Sequence, residues 1–119
     1  MAALVIAIAA LCFFSCQKIG ALEIRDTKTG YIYGRWPIEN HGEFAIEFIH
    51  SINMSPARDT FKIQAGKLQL PDGTSFNDVN YIVGTISDHI LFINNEIISL
   101  KDLCGKNAHI TIRWQLRRI

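Results

Sequence analysis

The sequence contains few of the residues that mark a metal centre, a disulfide scaffold or a nucleic-acid surface. Its three cysteines, at positions 12, 16 and 104, have neither the paired spacing of a zinc site nor that of a disulfide framework. Charges nearly balance, with 12 Lys and Arg against 11 Asp and Glu, and the only run of basic residues is Arg117-Arg118. Nucleic-acid binding needs a cluster of basic side chains. We therefore expect no metal, no cofactor and no nucleic-acid partner.

Long uncharged apolar sequence is confined to the start of the chain, where residues 2–15 carry no charge. This run is shorter than the roughly 20 residues that cross a bilayer as a helix, and is typical of a signal peptide. Residues 1–20 are therefore predicted to be a signal peptide or an apolar anchor helix. Cys16 follows Ser15 in a context similar to a lipoprotein processing site, so its lipidation is an alternative anchor. Each alternative places the remainder at the extracytoplasmic face of a bacterial cytoplasmic membrane.

Beyond residue 20, apolar and polar residues alternate, and turn-forming residues break the pattern every eight to twelve residues or so. This pattern predicts a single all-β domain over residues 21–119, folded as a small antiparallel sandwich or partly open barrel of about seven to nine strands. Tight turns are expected at residues 65–66 and 94–95, and a helical turn over residues 101–105. The predicted core consists of Phe44, Ile46, Phe48, Ile63, Leu68, Ile110, Ile112 and Trp114.

One polar segment, residues 50–59, interrupts the alternation directly after the clearest strand. As a binding site, it would use Arg58 as a fork for a carboxylate or phosphate, with neighbouring polar groups giving directional hydrogen bonds. As an ordinary loop, its serines would cap backbone groups and Arg58 would pair with Glu47 or Asp59. The candidate binding residues are His50, Ser51, Asn53, Ser55, Arg58 and Asp59.

The same segment combines Ser, His and Asp, which raises the alternative of a small extracytoplasmic hydrolase using Ser51. The sequence has no Gly-x-Ser-x-Gly elbow, and proximity along the chain does not create the geometry of a triad. The other histidines are scattered, and Cys104 reads as a small buried hydrophobe. We therefore predict no catalytic residue and no enzyme activity.

Two stretches resemble the domain of unknown function 1850 family (DUF1850). The first is residues 44–61, with its elements His50-Ser51 and Ser55-Pro56, and the second is residues 81–112. The resemblance covers nearly all of the chain after Leu22. Nothing here matches several strands that the family has between Leu70 and Pro71, so the chain looks like a shortened member.

Members of that family begin with a signal or anchor segment, and their genes often neighbour those of TAXI-type TRAP transporters. The resemblance thus implies a non-enzymatic accessory or binding protein of such a transporter, with no activity to carry over. A free-standing solute-binding lipoprotein is the first alternative to this prediction. The hydrolase using Ser51 is the second.

Overall fold

The computed structural model describes residues 18–49, 54–84 and 87–118, and within these ranges it contains ten β-strands and one short helix. The predicted all-β class is confirmed, since the strands form two antiparallel sheets. The apolar residues 2–15 and Cys16 lie outside the described residues. In chain order the elements are β1 (Lys18–Asp26), β2 (Ile32–Pro37), β3 (Glu43–Ile49), β4 (Pro56–Gln64), β5 (Lys67–Gln69), β6 (Ser75–Phe76), β7 (Asp78–Ile82), β8 (Ile90–Ile93), β9 (Glu96–Ser99), α1 (Leu100–Cys104) and β10 (His109–Arg118).

The two sheets divide the chain unevenly. One has four strands in the order β2-β1-β10-β7, and the other has six in the order β6-β5-β4-β3-β8-β9. The four-stranded sheet is built on a ladder in which Lys18 of β1 stands opposite Arg118 of β10, and Asp26 opposite Ile110. Because this pairing starts at Lys18, the sheet takes in the last three residues of the range predicted to be signal or anchor. Strand β1 therefore begins before residue 21.

Two hairpins of the six-stranded sheet have two-residue turns, as predicted. Ala65 and Gly66 have φ angles of 53° and 77°. Asn94 and Asn95 have φ angles of 50° and 64°. Two consecutive positive φ angles are typical of type I′ turns, whose twist matches that of the flanking strands. The turns thus fix the registers of β4 with β5 and of β8 with β9.

The predicted helical turn is also present, as α1. Ser99 caps its start, with Oγ accepting the backbone N–H of Asp102 at 3.1 Å. Gly105, with a φ of 100°, ends it and donates its N–H to the carbonyl of Lys101 at 2.9 Å. The carboxylate of Asp88 accepts from the Ser99 hydroxyl and from the backbone N–H of Lys101. These bonds join α1 to the loop that precedes β8.

The core fills the space between the two sheets, and six of the eight predicted core residues are fully buried in it. Phe48 and Trp114 are exceptions, since they are only partly buried against it. Trp114 covers Gly20 and donates its indole N–H to the carbonyl of Ile38 at 2.8 Å. The prediction of seven to nine strands was slightly low, because it did not include β6, which has only two residues. Strands this short leave almost no period in a sequence.

Candidate functional site

The structure places three of the six candidate binding residues. His50, Ser51 and Asn53 lie outside the described residues. Ser55 directly precedes β4, and Arg58 and Asp59 lie within that strand. The described part of the candidate segment is therefore one strand and its entry.

Arg58 and Asp59 point to opposite faces of the six-stranded sheet, because successive side chains of a strand alternate. Arg58 stands opposite Glu47 in the register and its side chain is 50% exposed on the outer face. Asp59 stands opposite the buried Ile46 and faces the four-stranded sheet. The two candidates therefore do not converge on one ligand.

Arg58 is held in place by two contacts on the outer face. Its Nη1 donates to Oε2 of Glu47 at 3.1 Å, and its guanidinium carbon lies 4.6 Å from the ring centre of Phe92. Of the two carboxylates expected as partners, the structure selects Glu47. Half-exposed contacts of these kinds contribute roughly 0.5–1 kcal/mol each. They orient the guanidinium while leaving several of its N–H donors toward solvent.

An open groove of about 580 Å³ lies beside Arg58, on the outer face across β4, β3, β8 and β9. The register aligns Thr60, Ala45, Phe92 and Ile97 in one row across these four strands. Ile97 is 72% exposed and lies on β9, the edge strand of the sheet. We call this feature the outer groove: the row from Thr60 to Ile97 that runs from beside Arg58 to an open sheet edge, together with the polar residues Glu43, Asn94, Asn95 and Glu96 that also line it.

Asp59 belongs to a different space, a cavity of about 410 Å³ between the sheets. Its Oδ2 accepts a hydrogen bond of 2.7 Å from the hydroxyl of Tyr81 on β7, so this bond links the two sheets. Burial, together with the bond to Asp59 and its charge, raises the pKa of Tyr81. Tyr81 therefore keeps its proton at neutral pH. The walls of the inter-sheet cavity also include Phe61, Leu70, Phe76, Asp78, Val79 and Asn80.

Tyr81 also belongs to an aromatic cluster that the sequence did not reveal. The ring of His89 stacks on Phe48 with centroids 5.3 Å apart, and Tyr81 meets both rings edge-on at 5.7 and 6.1 Å. Nδ1 of His89 accepts the backbone N–H of Gly84 at 3.3 Å. Burial lowers the pKa of His89, although the charge of Asp88 opposes this effect. Residue spacing gave no signal for the cluster, because only the pairing of strands brings its members together.

Neither a metal centre nor an activated thiol is evident in the described ranges. No group of three or more His, Cys, Asp or Glu residues within them could hold a metal ion. Cys104 packs against the core, and burial raises the pKa of its thiol to about 11. The thiol is therefore protonated at neutral pH and acts as the hydrophobe predicted from the sequence.

Among the residues that the structure describes, no helix has both the length and the apolar character needed to cross a bilayer. No family model, no curated protein and no solved structure matches this chain. Membership of the domain of unknown function 1850 family, and the link to TRAP transporters that it implies, therefore stay predictions from the residues.

Proposed function

We propose that this chain is a non-enzymatic binding domain at the extracytoplasmic face of the cytoplasmic membrane, where it serves as an accessory of a TAXI-type TRAP transporter. The observation that carries the binding role is the outer groove, in which Phe92 and the exposed Ile97 lie beside an oriented arginine. The membrane location is supported by the uncharged residues 2–15. The class of partner is supported by the family resemblance.

The outer groove suits a protein partner because it is open, ends at a sheet edge and combines apolar side chains with polar ones. β9 ends the six-stranded sheet, so an extended segment of a partner can pair with its backbone. Such a segment would cover Ile97, which is 72% exposed, and would approach Phe92 beside it. Burying a side chain of this size from water is worth about 1.5–3 kcal/mol.

Arg58 supplies directionality at the other end of the row. Phe92 and Glu47 already orient its guanidinium, so a partner need not restrict it much further on binding. Arginine is one of the residue types enriched among the hot spots of protein interfaces. The donors not used by Glu47 can bind carboxylates or carbonyl groups of the partner.

A crosslinked pull-down from native membranes tests the proposal. The wild-type full chain should recover a component of a TRAP transporter, and Arg58→Ala should weaken that association by about 2 kcal/mol, roughly 30-fold. Lys67→Ala is the matched control, because it removes an exposed positive charge from β5, away from the outer groove. Failure of the wild type to recover any transporter component would remove the accessory role.

Ser51→Ala separates this proposal from the hydrolase alternative. A non-enzymatic accessory should keep its association with the transporter when Ser51 is replaced. A hydrolase should instead lose turnover while it keeps binding.

Solute binding is the second candidate function, and the inter-sheet cavity is the observation that favours it. Its volume of about 410 Å³ falls in the range of small-molecule sites, and it combines apolar walls with Asp59 and Tyr81. A solute-binding protein would show thermal stabilisation that grows with the concentration of its solute. Tyr81→Phe should weaken that stabilisation, whereas Arg58→Ala should not.

A further inference from the structure

The outer face of the four-stranded sheet holds a second cluster of charged residues, far from the outer groove in the fold. In the register, Glu23 of β1 stands between Arg35 of β2 and Arg113 of β10. Arg25 lies two residues further along β1, on the same face. We call Arg25, Arg35 and Arg113 the arginine cluster.

Glu23 is buried beneath these arginines, with a side chain only 3% exposed although it lies on an outer face. Its Oε1 accepts from Nη2 of Arg25 at 2.6 Å, and its Oε2 accepts from Nε of Arg35 at 2.6 Å. Nε of Arg113 lies 3.8 Å from Oε1. Burial raises the pKa of Glu23, but the hydrogen bonds and charges of Arg35 and Arg25 outweigh it and give a net lowering. Glu23 is therefore ionised at neutral pH.

The arginine cluster carries more positive charge and more hydrogen-bond donors than the carboxylate of Glu23 can balance. Three guanidinium groups against one carboxylate leave an excess of two positive charges. Asp78 stands opposite Arg113 at the outer edge of the row and offsets part of this excess, although it is exposed. Within the described structure, Nε of Arg25 is buried without a hydrogen-bond partner, whereas Arg113 has a further acceptor in the side-chain amide of Gln115. The three arginine side chains are still 24%, 38% and 34% exposed.

We infer that the arginine cluster is a binding site for a phosphate group. Guanidinium groups present planar forks of donors that match the oxygens of phosphate, and Glu23 fixes two of them in place. A phosphate monoester carries a charge of about −1.5 to −2 at neutral pH, and the phosphodiester of a lipid headgroup carries about −1, so either complements the remaining positive charge. The group can come from a free phosphate-bearing solute or from the headgroup of an anionic lipid. This site is on the sheet opposite the outer groove and does not depend on the transporter proposal.

Arg113→Gln is the variant that tests this inference with the least damage to the fold. Arg113 approaches Glu23 only at 3.8 Å, so its replacement leaves both short bonds of the carboxylate intact. Lys67→Gln is the matched control, because it removes one exposed positive charge from β5 in the other sheet. Both variants lower the net charge of the chain equally, so a non-specific effect of charge would appear in both.

The measurement is the thermal midpoint of the full chain in neutral detergent, with inorganic phosphate or sodium chloride at equal ionic strength. We expect a rise specific to phosphate that follows its concentration, unchanged in Lys67→Gln and shifted to about tenfold higher phosphate in Arg113→Gln. The inference would be overturned if the thermal midpoint in detergent were the same in phosphate as in chloride and the anionic vesicles described below gave no stabilisation either. So would an equal response of the two variants.

Vesicles distinguish the two sources of phosphate. The full chain is reconstituted in phosphatidylcholine alone or with phosphatidylglycerol, and its thermal midpoint is measured without added phosphate. Stabilisation by phosphatidylglycerol that is lost in Arg113→Gln identifies the lipid headgroup as the ligand. Stabilisation by inorganic phosphate alone identifies a soluble ligand instead. Absence of both effects contradicts the site.

Discussion

The outer faces of the two sheets differ in how far their ion pairs are exposed to solvent. On the four-stranded sheet, the buried carboxylate of Glu23 is covered by arginines from three strands, and its side chain is 3% exposed. On the six-stranded sheet, the ion pair between Arg58 and Glu47 is peripheral, with side chains 50% and 43% exposed. Beside that pair an apolar row reaches the open edge at Ile97.

This difference indicates which face is closed by its own side chains and which is left for a partner. Glu23 of β1 pairs with Arg35 of β2 and lies near Arg113 of β10, so this network links three strands and stabilises the four-stranded sheet. The ion pair on the six-stranded sheet links only β3 to β4, and Ile97 at the end of the row beyond it is 72% exposed. We therefore expect loss of the Glu23 carboxylate on the first face to alter folding, and mutations on the second face to alter binding of a protein partner.

The largest contrast is expected from removing one carboxylate on each face. Glu23→Gln leaves three guanidinium groups facing a neutral amide at a buried position, and should lower the free energy of unfolding by about 2–4 kcal/mol. Glu47→Gln breaks an exposed pair and should cost less than about 1 kcal/mol. Urea unfolding of the full chain in detergent measures both values. Equal costs for the two variants would show that the faces do not differ.

The sequence predicted where the strands lie better than it predicted which elements pack beside them. The alternation of residues 43–49 and 109–118 predicted which side chains enter the core, and the turns at residues 65–66 and 94–95 followed from their local chemistry. The same alternation sets Leu116 on one face with Ile112 and Trp114, yet Leu116 is 47% exposed. Alternation specifies a face, but not whether another element covers that face near a strand end.

The ion pairs of Glu23 and Arg58 also show what a single sequence does and does not reveal about side-chain partners. The alternation of β1 predicted an outward Glu23 beside solvent, yet the carboxylate is buried by side chains from β2 and β10. Those strands pair with β1 from positions 12 and 90 residues away, and a single sequence does not reveal such partners. For Arg58 and Asp59 the reverse holds, since period two alone already places adjacent residues on opposite faces.

A smaller contrast is expected within the apolar row of the six-stranded sheet. Phe92 is half-buried and supports Arg58, so Phe92→Ala should lower the free energy of unfolding by about 1–2 kcal/mol, less than for a fully buried ring. Ile97 is 72% exposed, so Ile97→Ser should change the free energy of unfolding by no more than about 0.5 kcal/mol. Chemical denaturation measures both. A large loss for Ile97→Ser would mean that this residue serves the fold instead of a partner.

The smallest effect is expected from acidification, through His89 in the aromatic cluster. Burial lowers its pKa in the folded chain, so between about pH 7 and pH 5 the unfolded chain binds more protons. Its contribution to stability is therefore complete above the unfolded pKa and is lost as the pH falls through that value. We expect the free energy of unfolding to fall modestly from pH 7.5 to 5.5.

The variant His89→Gln should flatten this dependence, because it removes the titrating ring. His41→Gln is the control, since His41 is exposed in the turn before β3 and should leave the dependence in place. Denaturant unfolding at each pH measures the slope. An unchanged slope in His89→Gln would assign the pH dependence to other groups.

The central claim is that the outer groove, and not the arginine cluster, contacts the transporter. The most direct test is the recovery of a TRAP transporter component from native membranes with wild type, Ile97→Arg and Arg113→Gln. The account predicts recovery with wild type and Arg113→Gln, and loss with Ile97→Arg, because a charge at the exposed edge position cannot be buried without a partner. Undiminished recovery with Ile97→Arg, or loss with Arg113→Gln, would contradict it.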